Sequence, residues 1–325
     1  MYLVVHIKGF LVIAVLALSF FHNSTAQSAW SSTRANTAAD LVAVYFTSAD
    51  KGWIAGDGGY LASTDDGGRS WNKYPLNTTE DINEIYFRNE DNGYLVAGRK
   101  LFITSDSGLT WRETIIFRPG DFRNGTPEFL SIRFADKKRG LVVGSVVSKN
   151  DVVVDSLVMR TEDGGLTWHR IPVPSKTELF HLDFDGDSRA WIVGDVGTIL
   201  ASDDGGISWK QQRSGVSRAL FNVDFRDDKY GFAVGGATVL RTENGGQTWG
   251  KIPVRTAETF KRVSFADDKN GWIVGHGGTI LRSSDRGRTW IIQESGTRSP
   301  LYGLHVTKKF GWAVGSKGTI ITYHR

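Results

Sequence analysis

The sequence predicts an all-β chain folded as a seven-bladed β-propeller of four-stranded antiparallel blades, with an N-terminal strand completing the last blade. Three observations carry that prediction. An octapeptide of the form [ST]x[DN]xGx[ST]W occurs six times, at residues 64–71, 104–111, 161–168, 202–209, 242–249 and 283–290. A glycine (once alanine) followed by a large apolar residue recurs seven times, at Gly52, Gly93, Gly140, Ala190, Gly231, Gly271 and Gly311, with spacings of 41, 47, 50, 41, 40 and 40. Trp30 precedes Phe46 by the same 16 residues that separate Trp71 from Phe87 and Trp209 from Phe225.

Each element follows from these marks. Alternating apolar positions such as Phe221, Val223 and Phe225 read as a first strand, a. The glycine–aromatic step opens strand b, strand c begins near Val239, and the octapeptide turns the chain into strand d at its Trp. Four short strands per unit of about 40 residues is the mark of a propeller blade. In the octapeptide the short acid or amide hydrogen-bonds the local backbone and the glycine supplies a positive φ. Asp66, Asp106, Asp163, Asp204, Asn244 and Asp285 are therefore expected to be structural. The seventh unit stops in strand c at Arg325, and Trp30 supplies its missing strand d, which removes an open sheet edge.

The formal charge is +4, from 39 basic and 35 acidic residues with both signs interspersed, so nucleic acid is not an expected partner. With no cysteine, disulfides, thiolate metal sites and thiol nucleophiles are excluded. Residues 1–26 read as a secretory signal: Lys8, an apolar run over 10–21, then Ser24-Thr25-Ala26, with cleavage expected before Gln27. Residues 27–325 read as one propeller, secreted or periplasmic and monomeric, with no cofactor and no metal.

Two departures from the repeat point to function. Residues 117–128 lengthen the connection from blade 2 to blade 3, and 146–154 lengthen the b-to-c hairpin of blade 3, turning at Asn150-Asp151. Both connections leave a blade on the face opposite the Asp turns, so the insertions are expected side by side. Loops added to one face of a rigid scaffold are where binding resides. The partner-binding candidates there are Arg118, Phe122, Arg123 and Lys149. Arg160, Arg241 and Arg282 share one position at the end of strand c. They read either as a basic arc for an acidic peptide or as outward-facing solubilising charges.

Other motifs carry less. Asp183-Phe-Asp185-Gly-Asp187 lacks the ligand set of a calcium loop. Arg170-Ile171-Pro172 matches a sialidase arginine motif, but Lys251-Ile252-Pro253 occupies the same place in blade 5, so it belongs to the repeat. His181 and His305 lie on innermost strands and read as packed or solvated.

The unit FxDxxxGWxVGxxGxILxSxDxGxTW over residues 265–290 resembles the repeat of the photosystem II stability and assembly factor family. The resemblance spans nearly all of residues 28–325. It implies a seven-bladed propeller, lumenal or periplasmic, acting as a non-catalytic assembly chaperone that holds a membrane-protein intermediate; a thylakoid-lumen location would follow in a photosynthetic host. The expected function is protein or peptide binding. The alternative is a sialidase-like Asp-box glycoside hydrolase or glycan-binding protein, which requires two carboxylates, or a Tyr and an acid, converging in a cleft.

Overall fold

A computed structural model describes residues 30–118, 120–122 and 125–324. The expected signal at 1–26 and Arg123 lie outside the described residues. Seven four-stranded antiparallel sheets form the ring. Strands a to d are Leu41–Phe46, Gly52–Gly56, Tyr60–Thr64 and Asn72–Lys73 in blade 1, and Ile82–Phe87, Gly93–Ala97, Lys100–Thr104 and Arg112–Thr114 in blade 2. Blade 3 has Thr126–Phe134, Gly140–Val147, Val153–Thr161 and His169–Arg170; blade 4 has Leu179–Asp185, Arg189–Gly194, Ile199–Ser202 and Lys210–Gln212. Blade 5 has Asn222–Phe225, Gly231–Gly235, Thr238–Thr242 and Gly250–Ile252; blade 6 has Phe260–Phe265, Gly271–Gly275, Ile280–Ser283 and Ile291–Gln293. In blade 7, Leu301–Val306, Phe310–Gly315 and Thr319–His324 are followed outward by the N-terminal strand Trp30–Arg34. The closure expected from the Trp30 spacing is thus present, in the register Trp30↔Tyr323 to Arg34↔Thr319.

Every copy of the octapeptide folds the same way. Asp66 Oδ1 accepts from Thr64 Oγ1 at 2.7 Å and Ser70 N at 2.9 Å, while Oδ2 accepts from Ser70 Oγ at 2.6 Å. Thr64 Oγ1 in turn accepts from Gly68 N at 3.0 Å. The pattern repeats at Asp106, Asp163, Asp204 and Asp285. Asn244 keeps it by accepting from Thr248 N and donating its amide to Thr248 Oγ1, each at 2.9 Å. Hydrogen bonds that favour the ionised form hold these carboxyl groups below their ordinary range.

The turn also joins blades. Trp312 Nε1 donates to Gly67 O of the next blade at 3.0 Å, and Trp191 Nε1 to Gly245 O at 3.2 Å. A Cβ on Gly108, where φ is +81°, would collide with the Trp53 ring of the preceding blade. In five of the seven seams, the last aromatic of strand a lies between a strand-b ring of the previous blade and the Trp that precedes its own strand d. Phe225 stacks on Trp191 at 3.5 Å and meets Trp249 edge-on at 5.9 Å; Phe46 does the same with Trp312 and Trp71. Burial of each such ring contributes on the order of 2 kcal/mol, which is why the tryptophans mark the repeat so regularly.

Strand a differs from simple alternation. A register shift breaks the period of two, after the first residue in blades 1, 2, 4, 6 and 7 and after Phe129 in the longer strand of blade 3. Blade 5 behaves alike: Leu220, Val223 and Phe225 are buried, and Phe221 is not. Phe221 therefore does not share a face with Val223 and Phe225, as plain alternation implies. The bulge instead sends the third and fifth side chains toward the ring axis.

Candidate recognition surface and the closed channel

The third and fifth positions of strand a are polar in most blades, and they close the channel with charge. Glu84, in blade 2, is 1 % exposed. Its Oε2 accepts from Ser131 Oγ at 2.6 Å and Ile132 N at 3.0 Å and lies 2.8 Å from Arg133 Nη1 of blade 3. Its Oε1 lies 2.8 Å from Arg262 Nη2, which reaches across from blade 6. Arg133 Nη2 also donates to His181 Nε2 of blade 4 at 2.9 Å. Burial alone would raise the Glu84 pKa, but the guanidinium groups of Arg133 and Arg262 hold it well below the ordinary value. One carboxylate thus ties four blades together.

Other channel side chains hold the next blade's backbone. Asp183 accepts from Phe225 N at 2.7 Å, Asn222 from Val263 N at 3.0 Å and Asp224 from Phe265 N at 3.2 Å. Burial pushes Asp183 up to about 6, and burial together with the charge of Asp183 raises Asp224. His181 and His305 both border the channel, and burial drives them down to about 3 and about 4. The three acids of the 183–187 stretch diverge: Asp183 faces the channel while Asp187 pairs with Arg139. Among the described residues no group of three His, Asp or Glu is placed to hold a metal ion.

These directions set the response to acid. Asp163 and Asp204, both held at about 2, stabilise the ring above the unfolded value near 4 and cease to do so as pH falls toward 2. His181 and His305 also disfavour acid, because the unfolded chain binds protons near pH 6.5 that the folded chain refuses. Asp183 and Asp224 act oppositely, taking up protons earlier in the folded state, and offset the histidines between about pH 6 and 4. Below pH 4 only losses remain. Scanning calorimetry is expected to show a nearly level melting temperature from about pH 6 to 4 and a steep fall from 4 to 2.

The two insertions meet at blade 3, where Thr126 pairs with Val147. The hairpin turns at residues 148–152, closed by Ser148 N to Val152 O at 2.8 Å, with Asp151 at φ +57°. Residues 115–118 follow the seam between blades 2 and 3, because Ile116 is buried there and Phe117 packs on Phe129 at 6.0 Å. A groove of about 660 Å³ results. Its floor holds Met159, Trp168, Phe117 and the half-buried Phe122; on its rim stand Ile115 and Leu166, 80 % and 76 % exposed. Arg118 is exposed beside it, with its backbone N–H held by Asp121 at 2.6 Å.

Arg170 fixes the groove wall. Its guanidinium lies 5.2 Å above the Phe122 ring of the first insertion and 2.7 Å from Asp155, the residue that follows the second. Among the predicted site residues, Arg118 and Phe122 line this groove, whereas Lys149 lines a separate recess of about 320 Å³ with Glu80, Arg99 and Glu128. Arg160, Arg241 and Arg282 lie away from it, packed in the blade seams rather than in solvent. Arg160 and Arg241 side chains are 9 % and 10 % exposed and pair with Glu162 and Glu243. Arg160 Nε also donates to Gly205 O of the next blade at 3.0 Å, and Arg282 stacks over Trp272 at 5.4 Å. The channel network and Arg170 are not among the predicted site residues. The signal of the network is present nonetheless, as charged residues at two fixed positions of an otherwise apolar strand a; Arg170 lies on strand d and has no such mark.

Fold and turn chemistry together define a seven-bladed Asp-box propeller. The family pattern described as Photosynthesis system II assembly factor YCF48 matches residues 22–86, 71–177, 121–214, 167–258, 207–300 and 251–324. The chain belongs to that family. No curated protein matches it in sequence. Among solved structures it is similar to YCF48 bound to D1 peptide, with 20 % identity, TM-score 0.74, and 92 % of this chain and 96 % of the other covered. It is also similar to YCF48 from Cyanidioschyzon merolae, with 18 % identity, TM-score 0.69, and 91 % and 98 % covered. Virginiamycin B lyase from Staphylococcus aureus shares the fold at 13 % identity, TM-score 0.72, with 91 % and 99 % covered.

Proposed function

We propose that this protein is a non-catalytic propeller, secreted or periplasmic, that binds an extended segment of a protein partner while a membrane complex is assembled. The observation that carries this reading is the groove at the seam of blades 2 and 3. There two insertions meet on a rigid ring, and aliphatic side chains stand exposed over an aromatic floor flanked by Arg118 and Arg170. Aromatic and arginine side chains are the types enriched at interface centres, and a preformed groove binds with little ordering cost. The D1 peptide bound by a structurally similar YCF48 supports a peptide as the partner. The Asp-box carboxylates are held in their own turns, and Asp183 and Asp224 hold backbone N–H groups inside the channel, which favours binding over glycoside hydrolysis.

The test is titration of a labelled D1 peptide into the protein and into the double variant R118E, L166D. Both residues are exposed, so the melting temperature is expected to change little. Affinity is expected to fall about tenfold or more, the loss of one charged and one apolar contact. Binding that both proteins share equally contradicts the seam. No binding by the unaltered protein contradicts a D1-like partner.

A further inference from the structure

The bulge in strand a also turns its second residue toward the channel mouth, at the end where the connections from strand d enter. In blades 4, 5 and 6 that residue is Phe180, Phe221 and Lys261. The two rings lie 5.2 Å apart, and Lys261 Nζ sits 3.6 Å above the centre of Phe221. Lys261 is half-buried, burial lowers its pKa, and among the described residues no carboxylate lies within ion-pair distance of it. One residue further in, Arg262 reaches Glu84, a carboxylate already shared with Arg133. The other titratable neighbour is His276, whose pKa burial and then Lys261 lower, with Glu258 acting in the opposite sense. Asn222, below the rings, already accepts from Val263 N.

The mouth is therefore a cup with an aromatic wall, an unpaired ammonium on its rim and a floor closed by the Glu84–Arg262 pair. A chain cannot thread past that floor; it can enter only by an end. We propose that the channel mouth at blades 4 to 6 binds the free carboxylate terminus of a polypeptide that ends in an apolar residue. The terminal side chain packs on Phe180 and Phe221, and the carboxylate takes a charge-assisted hydrogen bond from Lys261. This site uses blades and residues distinct from the seam groove and stands without it.

The probes are N-acetyl-L-phenylalaninate and N-acetyl-L-phenylalaninamide, titrated by ligand-detected NMR. The acid is expected to bind about tenfold more tightly than the amide, the effect of one charge-assisted contact. Lys261→Gln is expected to abolish that preference, Lys261→Arg to retain it, and Phe180→Ala to weaken both probes. The R118E, L166D variant is expected to bind both as the unaltered protein does. Equal binding of acid and amide, no binding of either, or a preference that survives Lys261→Gln overturns the proposal. The comparison of the two probes on the unaltered protein decides even if a variant fails to fold.

Discussion

Glu84→Gln is expected to lower the melting temperature by on the order of 10 °C, the largest effect of any single substitution in the channel. Removing the charge leaves Arg133 and Arg262 facing one another across the ring with their shared counterion gone. Breaking a buried ion pair by deleting one member costs about 3–5 kcal/mol, because the remaining charge stays desolvated. The loss belongs to the imbalance rather than to polarity as such. Replacing the three together by apolar side chains, in E84L, R133M, R262M, is therefore expected to recover much of the stability. Thermal melts of the single and triple variants check this, and a single variant as stable as the unaltered protein contradicts the role given to Glu84.

Trp30→Ala is expected to cost about 3–5 kcal/mol, the usual range for emptying a buried Trp site. Trp30 is buried against Tyr323 at 5.3 Å and shares a core with Trp272 and Ile321. Deleting residues 30–34 goes further. It strips the strand that covers Thr319–His324 and leaves an unpaired edge at the point where the ring closes. Amide exchange in residues 319–324 is expected to rise toward unprotected rates, with concentration-dependent self-association as exposed edges find one another. Protection unchanged by the deletion contradicts closure by the N-terminal strand.

Much of this fold is legible because it is repeated. The Trp30 spacing identified the closing strand, and six copies of one turn identified the blades, since each copy answers the same local demand for a held carboxylate and a left-handed glycine. The channel is less legible. Glu84 and Arg262 are 178 residues apart and meet only because a bulge redirects the third residue of strand a in blades 2 and 6. Alternation alone put Phe221 with Val223, and that one-residue shift is what separates the mouth from the core. The repeat spacing places the insertions ahead of and within blade 3, but length does not say which way a loop packs. Ile116 draws the first insertion into the outer seam, so Phe122 meets Arg170 while Lys149 stands in another recess. The strand-c arginines look like surface charges in sequence. Their acids, Glu162 and Glu243, sit two residues on, and the next blade covers the rest.

The claim on which the functional reading rests is that recognition occurs at the seam of blades 2 and 3. The most direct measurement places a photoreactive side chain at Leu166, on that groove, or at Ile292, which is 51 % exposed on the outer strand of blade 6. Each protein is then irradiated with the D1 peptide. Crosslinking from position 166 and little from 292 is the predicted result; equal crosslinking from both, or a preference for 292, contradicts it.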